Sequence, residues 1–277
     1  MNDDESKQAF NRITIIGTGV IGCSVACMIK GCGLAEEVVG VDSLPANLEM
    51  ARRLGFIDRG LEDPARGVMG ADAVIVATPL QQVFMTIEKI GPDMRPGAML
   101  TCTAGTTLRI WQQIIKEVKE AEGFVPSFPL VFTKSNGPAV ASPMLLQGRR
   151  CLVASCEAFD QVQVARVAGF WKDLGMDPQI VDDSKFEWSV AAGHLWPQLI
   201  TQRVRQLAVK NEWELGESVI KHWLDAVGQS NDLERSYQLY SKKLNQLLTM
   251  LVEELTQLKR DLGGASQSQP DQAEGAE

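Results

Sequence analysis

The chain has 277 residues, 45% of them hydrophobic, and a formal net charge of −8 at pH 7. This length allows two domains with separate cores, and the negative charge opposes the electrostatic attraction on which nucleic-acid binding depends. The N-terminal segment is polar and acidic, unlike a signal or transit peptide. We therefore expect a cytoplasmic protein that binds neither membranes nor nucleic acid.

The six cysteines show no Cys-x-x-Cys pairing, and the sequence has only two histidines. This composition favours reduced, mostly buried thiols over a metal centre. No metal site is predicted.

The first predicted strand ends in a glycine-rich turn. Residues Ile13 to Gly22 read I-T-I-I-G-T-G-V-I-G, an apolar run that leads through the spacing G-x-G-x-x-G into a helix-like segment. In this motif the three glycines in turn permit a tight turn, the approach of a pyrophosphate, and close packing of the helix on the strand. The pyrophosphate binds the N–H groups at the helix N-terminus. The predicted nucleotide-binding residues are Gly17, Thr18, Gly19, Val20, Ile21 and Gly22.

A second apolar run, Glu37 to Val41, ends at Asp42, twenty residues beyond Gly22. An acid at this point can bind the ribose 2′-hydroxyl of NAD and would repel the 2′-phosphate of NADP. The three residues after Asp42 include no cation, which favours NAD, although Arg52 or Arg53 could reach back from the next helix. The alternative is a glycine-rich turn that binds no nucleotide.

Strand and helix patterns alternate through the first two thirds of the chain. Further predicted strands are Ala73 to Ala77, Met99 to Thr103, Cys151 to Ala154 and Gln179 to Val181, and predicted helices are Ala46 to Leu54, Val83 to Ile90, Leu108 to Glu120 and Ala158 to Leu174. This alternation predicts an α/β fold with a doubly wound parallel sheet of the Rossmann type. Thr78 and Pro79 follow a central strand, where such sheets bind ligands, and are predicted to border the nicotinamide ribose.

After Asp182 the sequence predicts an all-helical C-terminal domain, with breaks near Gly216 and Gly228. Leucines of the last helix follow alternating spacings of four and three: Leu244, Leu248, Leu251, Leu255, Leu258 and Leu262. Such a seam packs within its own domain or against a second subunit, and we expect a homodimer through these helices. The predicted organisation is a nucleotide-binding domain over residues 1–182, a helical substrate and dimerisation domain over 183–263, and a disordered tail over 264–277.

Several segments resemble the prephenate and arogenate dehydrogenase family. They are V-V-G-V-D…A-R-R-L-G-F-I-D and A-D-A-V-I-V-A-T-P-L, followed by the helical C-terminal pattern. The resemblance extends from Arg12 to Leu262. It implies oxidation of a cyclohexadienol with NAD or NADP and loss of carbon dioxide from the ring, in the formation of tyrosine or its aromatic precursor.

The catalytic motifs of that family differ here. The segment Gly-His-Pro-Met-x-Gly-x-Glu falls on Ser127 to Lys134, so that Phe128 stands at the position of the histidine that takes the substrate hydroxyl proton. The segment Asp-x-Gly-Ser falls on Cys102 to Gly105, and its serine is absent. Thr103 is a candidate substitute, as are Thr106 and Thr107.

The resemblance also places a histidine on the first long helix of the C-terminal domain. The family pattern Ser-His-Leu-Pro resembles Gly193 to Gln198, with one extra residue before the proline, which implies that His194 points toward the substrate cleft. His194 is the candidate base, and Lys134 is a second candidate if burial lowers its pKa. The family's carboxylate-binding arginine falls near Asp225. His222 has no such support and is interpreted as structural.

Together these features predict an NAD-dependent oxidoreductase of this family's type, whose small-molecule substrate is either the family's own or an altered one. The alternative is an NAD-binding pseudoenzyme that acts as a sensor or as a dimeric interaction protein, because both catalytic positions are replaced. A dehydrogenase of the wider hydroxyacid or imine-reducing group is least favoured, since no Lys-x-x-x-Asn stands near the start of the helical domain.

Overall fold

The computed structural model describes residues 10–105, 111, 116, 123–131, 133, 136–157, 159–210 and 233–265. At its centre lies an eight-stranded sheet in the order β3-β2-β1-β4-β5-β6-β7-β8. The strands are β1 (Phe10–Ile16), β2 (Ala35–Val41), β3 (Arg59–Leu61), β4 (Ala73–Val76), β5 (Met99–Cys102), β6 (Phe124–Pro129), β7 (Arg150–Ala154) and β8 (Asp177–Val181).

The described helices cover the sheet and form the C-terminal part of the chain. They are α1 (Val20–Cys32), α2 (Pro45–Arg53), α3 (Pro64–Val68), α4 (Leu80–Ile90), α5 (Gln161–Asp173), α6 (Asp183–Val190), α7 (Trp196–Lys210) and α8 (Leu233–Ala265). One π-helical turn, Ala191–Leu195, joins α6 directly to α7.

Strand β1 lies where the order of the sheet reverses. It pairs in parallel with β2 on one side and with β4 on the other. The chain therefore winds outward in both directions from β1, and a crevice opens between the carboxyl ends of β1 and β4. Ile13, Ile15 and Ile75 on these two strands are fully buried, as the continuous apolar runs predict. The α/β fold with a doubly wound sheet followed by helices is confirmed.

The expectation of an all-parallel sheet is wrong at one pair of strands. Strand β7 runs antiparallel to β6, with Ser127 opposite Val153 and Pro129 opposite Cys151, whereas β7 and β8 are parallel to each other. A parallel pair needs a long crossover, usually an α-helix. The described part of the β6–β7 link forms only two short 3₁₀ turns, at Pro138–Val140 and Pro143–Leu145, so the chain returns in the opposite direction.

Two capped helices show how local sequence determines boundaries in this fold. The helix predicted from Ala158 begins at Gln161 instead, because the Asp160 carboxylate accepts a hydrogen bond of 2.9 Å from the N–H of Val162. Asp182 caps α6 in the same way, accepting from Lys185 N at 2.9 Å. The helix predicted over Leu108 to Glu120 falls almost wholly outside the described residues.

Beyond β8 every described element is helical. Leu244 of α8 is buried against the rest of the molecule, whereas Leu248 and Leu255 are 43% and 52% exposed. Helix α8 continues to Ala265, two residues into the predicted tail, and residues 211–232 and 266–277 lie outside the described part. None of the helices that the structure describes has the length and apolar character needed to cross a membrane.

Candidate nucleotide-binding cleft and active site

The turn after β1 requires glycine at position 17. Gly17 has a φ of +97°, and a Cβ atom built there would lie 2.6 Å from the carbonyl oxygen of Ala77. Its N–H donates a 2.7 Å hydrogen bond to the carbonyl of Val41. The turn is thus fitted between the ends of β2 and β4, and any side chain at position 17 would force these strand ends apart.

Gly22 and Gly19 serve this turn in different ways. A Cβ at Gly22 would lie 1.9 Å from the carbonyl oxygen of Gly17, so that the first turn of α1 packs directly on the glycine turn. Gly19, the residue before α1, has no atom within 4 Å of an added Cβ, and it lines the cleft. No side chain caps α1, which leaves its first N–H groups available to an anion. This arrangement fits a pyrophosphate.

The carboxylate of Asp42 is held in a fixed position at the end of β2. Its Oδ2 accepts hydrogen bonds from Thr18 N at 2.8 Å, Thr18 Oγ1 at 2.9 Å and Asn47 Nδ2 at 3.3 Å. Its Oδ1 accepts from the N–H of Leu44 at 2.9 Å. Asp42 lines the cleft, whereas Thr18 is fully buried behind it. Thr18, predicted to bind nucleotide, therefore holds Asp42 in place and is not itself part of the cleft surface.

A cleft of about 850 Å³ runs along the carboxyl ends of the central strands. This volume falls in the range of small-molecule sites, about 300–1,000 Å³. Of the residues predicted to bind nucleotide, seven line it: Gly17, Gly19, Val20, Ile21, Asp42, Thr78 and Pro79. The Oγ1 atom of Thr78 is buried and has no hydrogen-bond partner among the described residues. A rotation of this side chain would offer the hydroxyl to a ligand lying at the switch point between β1 and β4.

The other end of the cleft is built by β5, β6 and the C-terminal helices. The candidate residue Thr103 lines this end, with its N–H donating to the carbonyl of Val76 at 3.0 Å. The ring of Phe128 lies against Gly105, where an added Cβ would meet three ring carbons at 3.1 Å. Leu195 of the π-helical turn and Gln198 of α7 line the cleft as well. The structure thus brings together Phe128 and Gly105, which stand at the positions of the histidine and the serine in the family motifs.

A buried hydrogen-bond network is centred on Ser127, the residue before Phe128. The hydroxyl of the neighbouring Ser127 donates to the carbonyl of Cys102 at 2.6 Å, lies 2.9 Å from Thr101 Oγ1, and accepts from Trp171 Nε1 at 3.0 Å. Burial raises the pKa of the Cys102 thiol to about 12, which keeps it protonated at neutral pH. This network fixes the ends of β5 and β6, and its cysteine is not a nucleophile.

The remaining catalytic candidates fall outside the described side chains, and Thr106 and Thr107 are not among the described residues. Lys134 is not among the described residues. The backbone of His194 lies in the π-helical turn, one residue before Leu195, but its side chain is outside the described part. Pro197 explains why the helix widens here, since proline lacks an N–H and its ring collides with the carbonyl four residues earlier in a regular α-helix.

Charge at the cleft is negative and confined to one end. Among the described lining residues the ionisable ones are Asp42 and Glu62, and none is Lys, Arg or His. Arg52 and Arg53 lie exposed in the last turn of α2 and do not line the cleft, so the structure gives no support to their reaching back toward the ribose. Sequence reasoning missed Glu62, because β3 before it has only three residues and carries no strand pattern.

Residues 25–178 match the family model described as prephenate dehydrogenase, nucleotide-binding domain. The chain belongs to this family. It is 25% identical over 167 residues to prephenate dehydrogenase of Bacillus subtilis, a match that covers 60% of this chain and 45% of the relative. It is 25% identical over 166 residues to cyclohexadienyl dehydrogenase of Zymomonas mobilis, a match that covers 60% of this chain and 56% of that relative. The chain thus spans about half the length of these curated relatives.

Solved structures show the same fold over nearly the whole chain. Prephenate dehydrogenase from A. aeolicus, in complex with hydroxyphenyl propionate and NAD+, superposes with a TM-score of 0.80 at 15% identity, covering 93% of this chain and 92% of that one. Arogenate dehydrogenase from Synechocystis gives a TM-score of 0.72 at 20% identity, covering 92% and 93%. The similarity includes the C-terminal helices, which the family model does not reach.

Proposed function

We propose that this protein binds NAD in the cleft and transfers a hydride between its nicotinamide and a small cyclic molecule, as a prephenate-dehydrogenase-type oxidoreductase with an altered substrate. The observation that carries this proposal is the pairing of the glycine turn with Asp42 at the switch point. The cleft continues past that point to Thr103, Phe128 and Gln198, and so leaves room for a second molecule beside the nucleotide.

The residues of the chain suit the parts of a dinucleotide. The N-terminus of α1 would bind the pyrophosphate, Asp42 the adenosine ribose, and Thr78 and Pro79 would border the nicotinamide ribose. NAD, when bound, supplies the hydride acceptor, and the protein must orient the substrate and handle one proton. The absence of cations among the described lining residues supports NAD over NADP, because a 2′-phosphate needs a positive partner.

We propose His194 as the group that exchanges this proton, with Lys134 as the second candidate. Phenylalanine cannot accept a proton, so Phe128 cannot serve. The neighbour of His194 on the π-helical turn, Leu195, lines the cleft, and so does Gln198 one turn further on. Thr103 lies in the cleft as well, where its hydroxyl can donate a hydrogen bond to substrate but is too weak a base to replace a histidine.

Two measurements test this function. NADH titration, followed by the fluorescence of the reduced nicotinamide, should show saturable binding. Absorbance of NADH formed with prephenate, arogenate and a panel of other cyclic alcohols then identifies the substrate. We expect His194→Ala to lower kcat while NADH affinity stays unchanged, with His222→Ala as the control for loss of a histidine. Failure to bind NADH at millimolar concentration refutes the proposal.

A second candidate function is that of an NAD-binding protein without turnover, which acts as a sensor or interaction protein. The observation in its favour is the packing of Phe128 on Gly105, where the base and the serine of the family motif are both replaced. Calorimetry separates the two candidates. An enzyme should bind a small cyclic substrate more tightly once NAD is present, whereas a sensor of NAD alone should bind no such molecule in either state.

We also propose that the protein forms a homodimer through its C-terminal helices. Leu248 and Leu255 are about half exposed and follow the seam that begins at the buried Leu244. A second copy of α8 would cover these leucines by the packing that a spacing of four and three favours.

A further inference from the structure

We infer that Glu62 is a second determinant of the choice of dinucleotide, acting beside Asp42 to exclude a 2′-phosphate. This inference rests on the proposed binding of NAD in the cleft. It concerns a residue outside both the glycine motif and the acidic position after β2.

Strand pairing brings Glu62 next to Asp42. Strand β3 pairs in parallel with β2, with Val41 opposite Leu61, so the residues that follow, Asp42 and Glu62, are neighbours across the same edge of the sheet. The N–H of Asp42 donates a 3.2 Å hydrogen bond to the carbonyl of Leu61, which continues the pairing to this point. Adjacent strands lie about 4.8 Å apart. Both residues line the cleft.

The two carboxylates differ in how they are held. The Asp42 carboxylate is held in one orientation by the four hydrogen bonds that Thr18, Leu44 and Asn47 donate to it. Glu62 is exposed, and among the described residues no hydrogen bond or ion pair joins its carboxylate. Asp42 therefore offers a fixed acceptor to a ribose hydroxyl. Glu62 contributes a negative charge on a side chain that can change its rotamer when a ligand binds.

Three basic side chains of this part of the protein form ion pairs with acids other than Glu62 and Asp42. Lys89 and Arg66 lie 3.6 Å and 4.0 Å from the carboxylate of Asp63, and Arg59 lies 3.6 Å from Glu37. None of these three side chains lines the cleft. A 2′-phosphate at the ribose beside Asp42 would meet two carboxylates with no compensating cation among the described lining residues. Repulsion between the 2′-phosphate and these two carboxylates discriminates against NADP, and added salt weakens this repulsion.

The test is direct binding of NADH and NADPH to the full chain, followed by nicotinamide fluorescence at low ionic strength. We expect Glu62→Gln to strengthen NADPH binding about tenfold and to change NADH binding less than about twofold. Glu62→Lys should strengthen NADPH binding further. Glu49→Gln, which removes the same charge from an exposed position on α2 outside the cleft, should change neither.

Equal changes in NADH and NADPH affinity on Glu62→Gln would overturn the inference, because Glu62 would then contact a part that both nucleotides share. An unchanged NADPH affinity would overturn it as well. If the unaltered protein binds neither nucleotide, the proposed function itself fails, and this outcome is distinct from NADH binding with no effect at Glu62.

Discussion

One oxygen of Asp42 accepts two hydrogen bonds from Thr18, with Oδ2 lying 2.8 Å from the backbone nitrogen and 2.9 Å from Oγ1. This pair joins the glycine turn after β1 to the end of β2. Asp42 therefore stabilises the turn that would bind pyrophosphate while also facing the cleft. Two sites that the sequence presents as separate signals are a single unit in the folded protein.

Thr18→Val removes the hydroxyl hydrogen bond while keeping the shape of the side chain. Thr18 is fully buried and its hydroxyl donates to a carboxylate, so we expect the free energy of unfolding to fall by about 1.5–3 kcal/mol. NADH binding should weaken too, because Asp42 loses a group that orients it. Urea unfolding and NADH titration measure the two effects.

Thr14→Val is the matched control for this prediction. Thr14 is also fully buried, and its hydroxyl donates to the carbonyl of Gly67 at 2.8 Å without contacting the cleft. The control should lower stability and leave NADH affinity unchanged. An equal loss of affinity in both variants would show that Thr18 acts only through general stability.

Alanine substitutions at two glycines should separate binding from folding. Gly19 has φ −75° and open space in front of it, so Gly19→Ala should fold normally but place a methyl group where pyrophosphate would lie. We expect NADH binding to weaken about tenfold or more, a loss of roughly 1.4 kcal/mol. Gly22→Ala should lower the free energy of unfolding by about 1–3 kcal/mol through overpacking against Gly17.

Gly31→Ala controls for the change of residue type. Gly31 is exposed in α1, and an added Cβ meets nothing within 4 Å, so this variant should gain about 0.5–1 kcal/mol of stability. Thermal unfolding and NADH titration of all three variants test the prediction. Normal NADH affinity in Gly19→Ala would exclude a pyrophosphate at this turn.

Asp72 should make stability depend on acid pH. Burial raises the pKa of this carboxyl. Hydrogen bonds from the N–H groups of Arg12 and Asn11, together with the charge of Arg95, lower the pKa by a larger amount, so that it lies below its ordinary value. Stability from such a group is present above the unfolded pKa of about 3.9 and is lost as pH falls through the folded value. We expect Asp72→Asn to reduce the free energy of unfolding at pH 7 by about 1–3 kcal/mol.

The difference between Asp72→Asn and the unaltered protein should shrink as the pH is lowered below about 4. Urea unfolding at pH 7, 5 and 3 measures this dependence. Asp93→Asn, a substitution of the same kind at an exposed residue, should show little difference at any of these pH values. A constant difference for Asp72→Asn from pH 7 to pH 3 would contradict the prediction.

The exposed leucines of α8 provide a test of the proposed homodimer. Burying a leucine side chain contributes about 1.5–3 kcal/mol, so the double substitution Leu248→Gln and Leu255→Gln should shift the protein to a monomer. Sedimentation equilibrium measures the assembly, and circular dichroism checks the helical content. Met250→Gln, at a residue 58% exposed but off the leucine seam, should leave the assembly unchanged. A monomer before any substitution would refute the dimer.

Local sequence was sufficient to predict which residues of the glycine turn line the cleft, except Thr18 and Gly22. The glycine turn and Asp42 could be predicted because each role depends on one residue type at a fixed spacing from a strand. The predicted residues Thr78 and Thr103 also line the cleft, since the ends of parallel strands meet at one edge.

Features that depend on contacts between distant segments could not be predicted in this way. Glu62 follows a strand of three residues that exists only through its pairing with β2. The contact of Phe128 with Gly105 joins the ends of β5 and β6, and neither segment alone indicates it. The antiparallel direction of β7 depends on the path of a long link with several prolines and glycines, whose pattern does not specify where the chain returns.

The wide turn at Ala191–Leu195 has a consequence for how this chain tolerates a change in length. An α-helix rotates by about 100° for each residue. An inserted residue in a regular helix would therefore turn everything after it by that angle and would carry Gln198 away from the cleft. A π-helical turn has i→i+5 hydrogen bonds and holds one residue more than an α-helical turn, so a residue inserted at Ala191–Leu195 can be accommodated locally while α6 and α7 keep their phase.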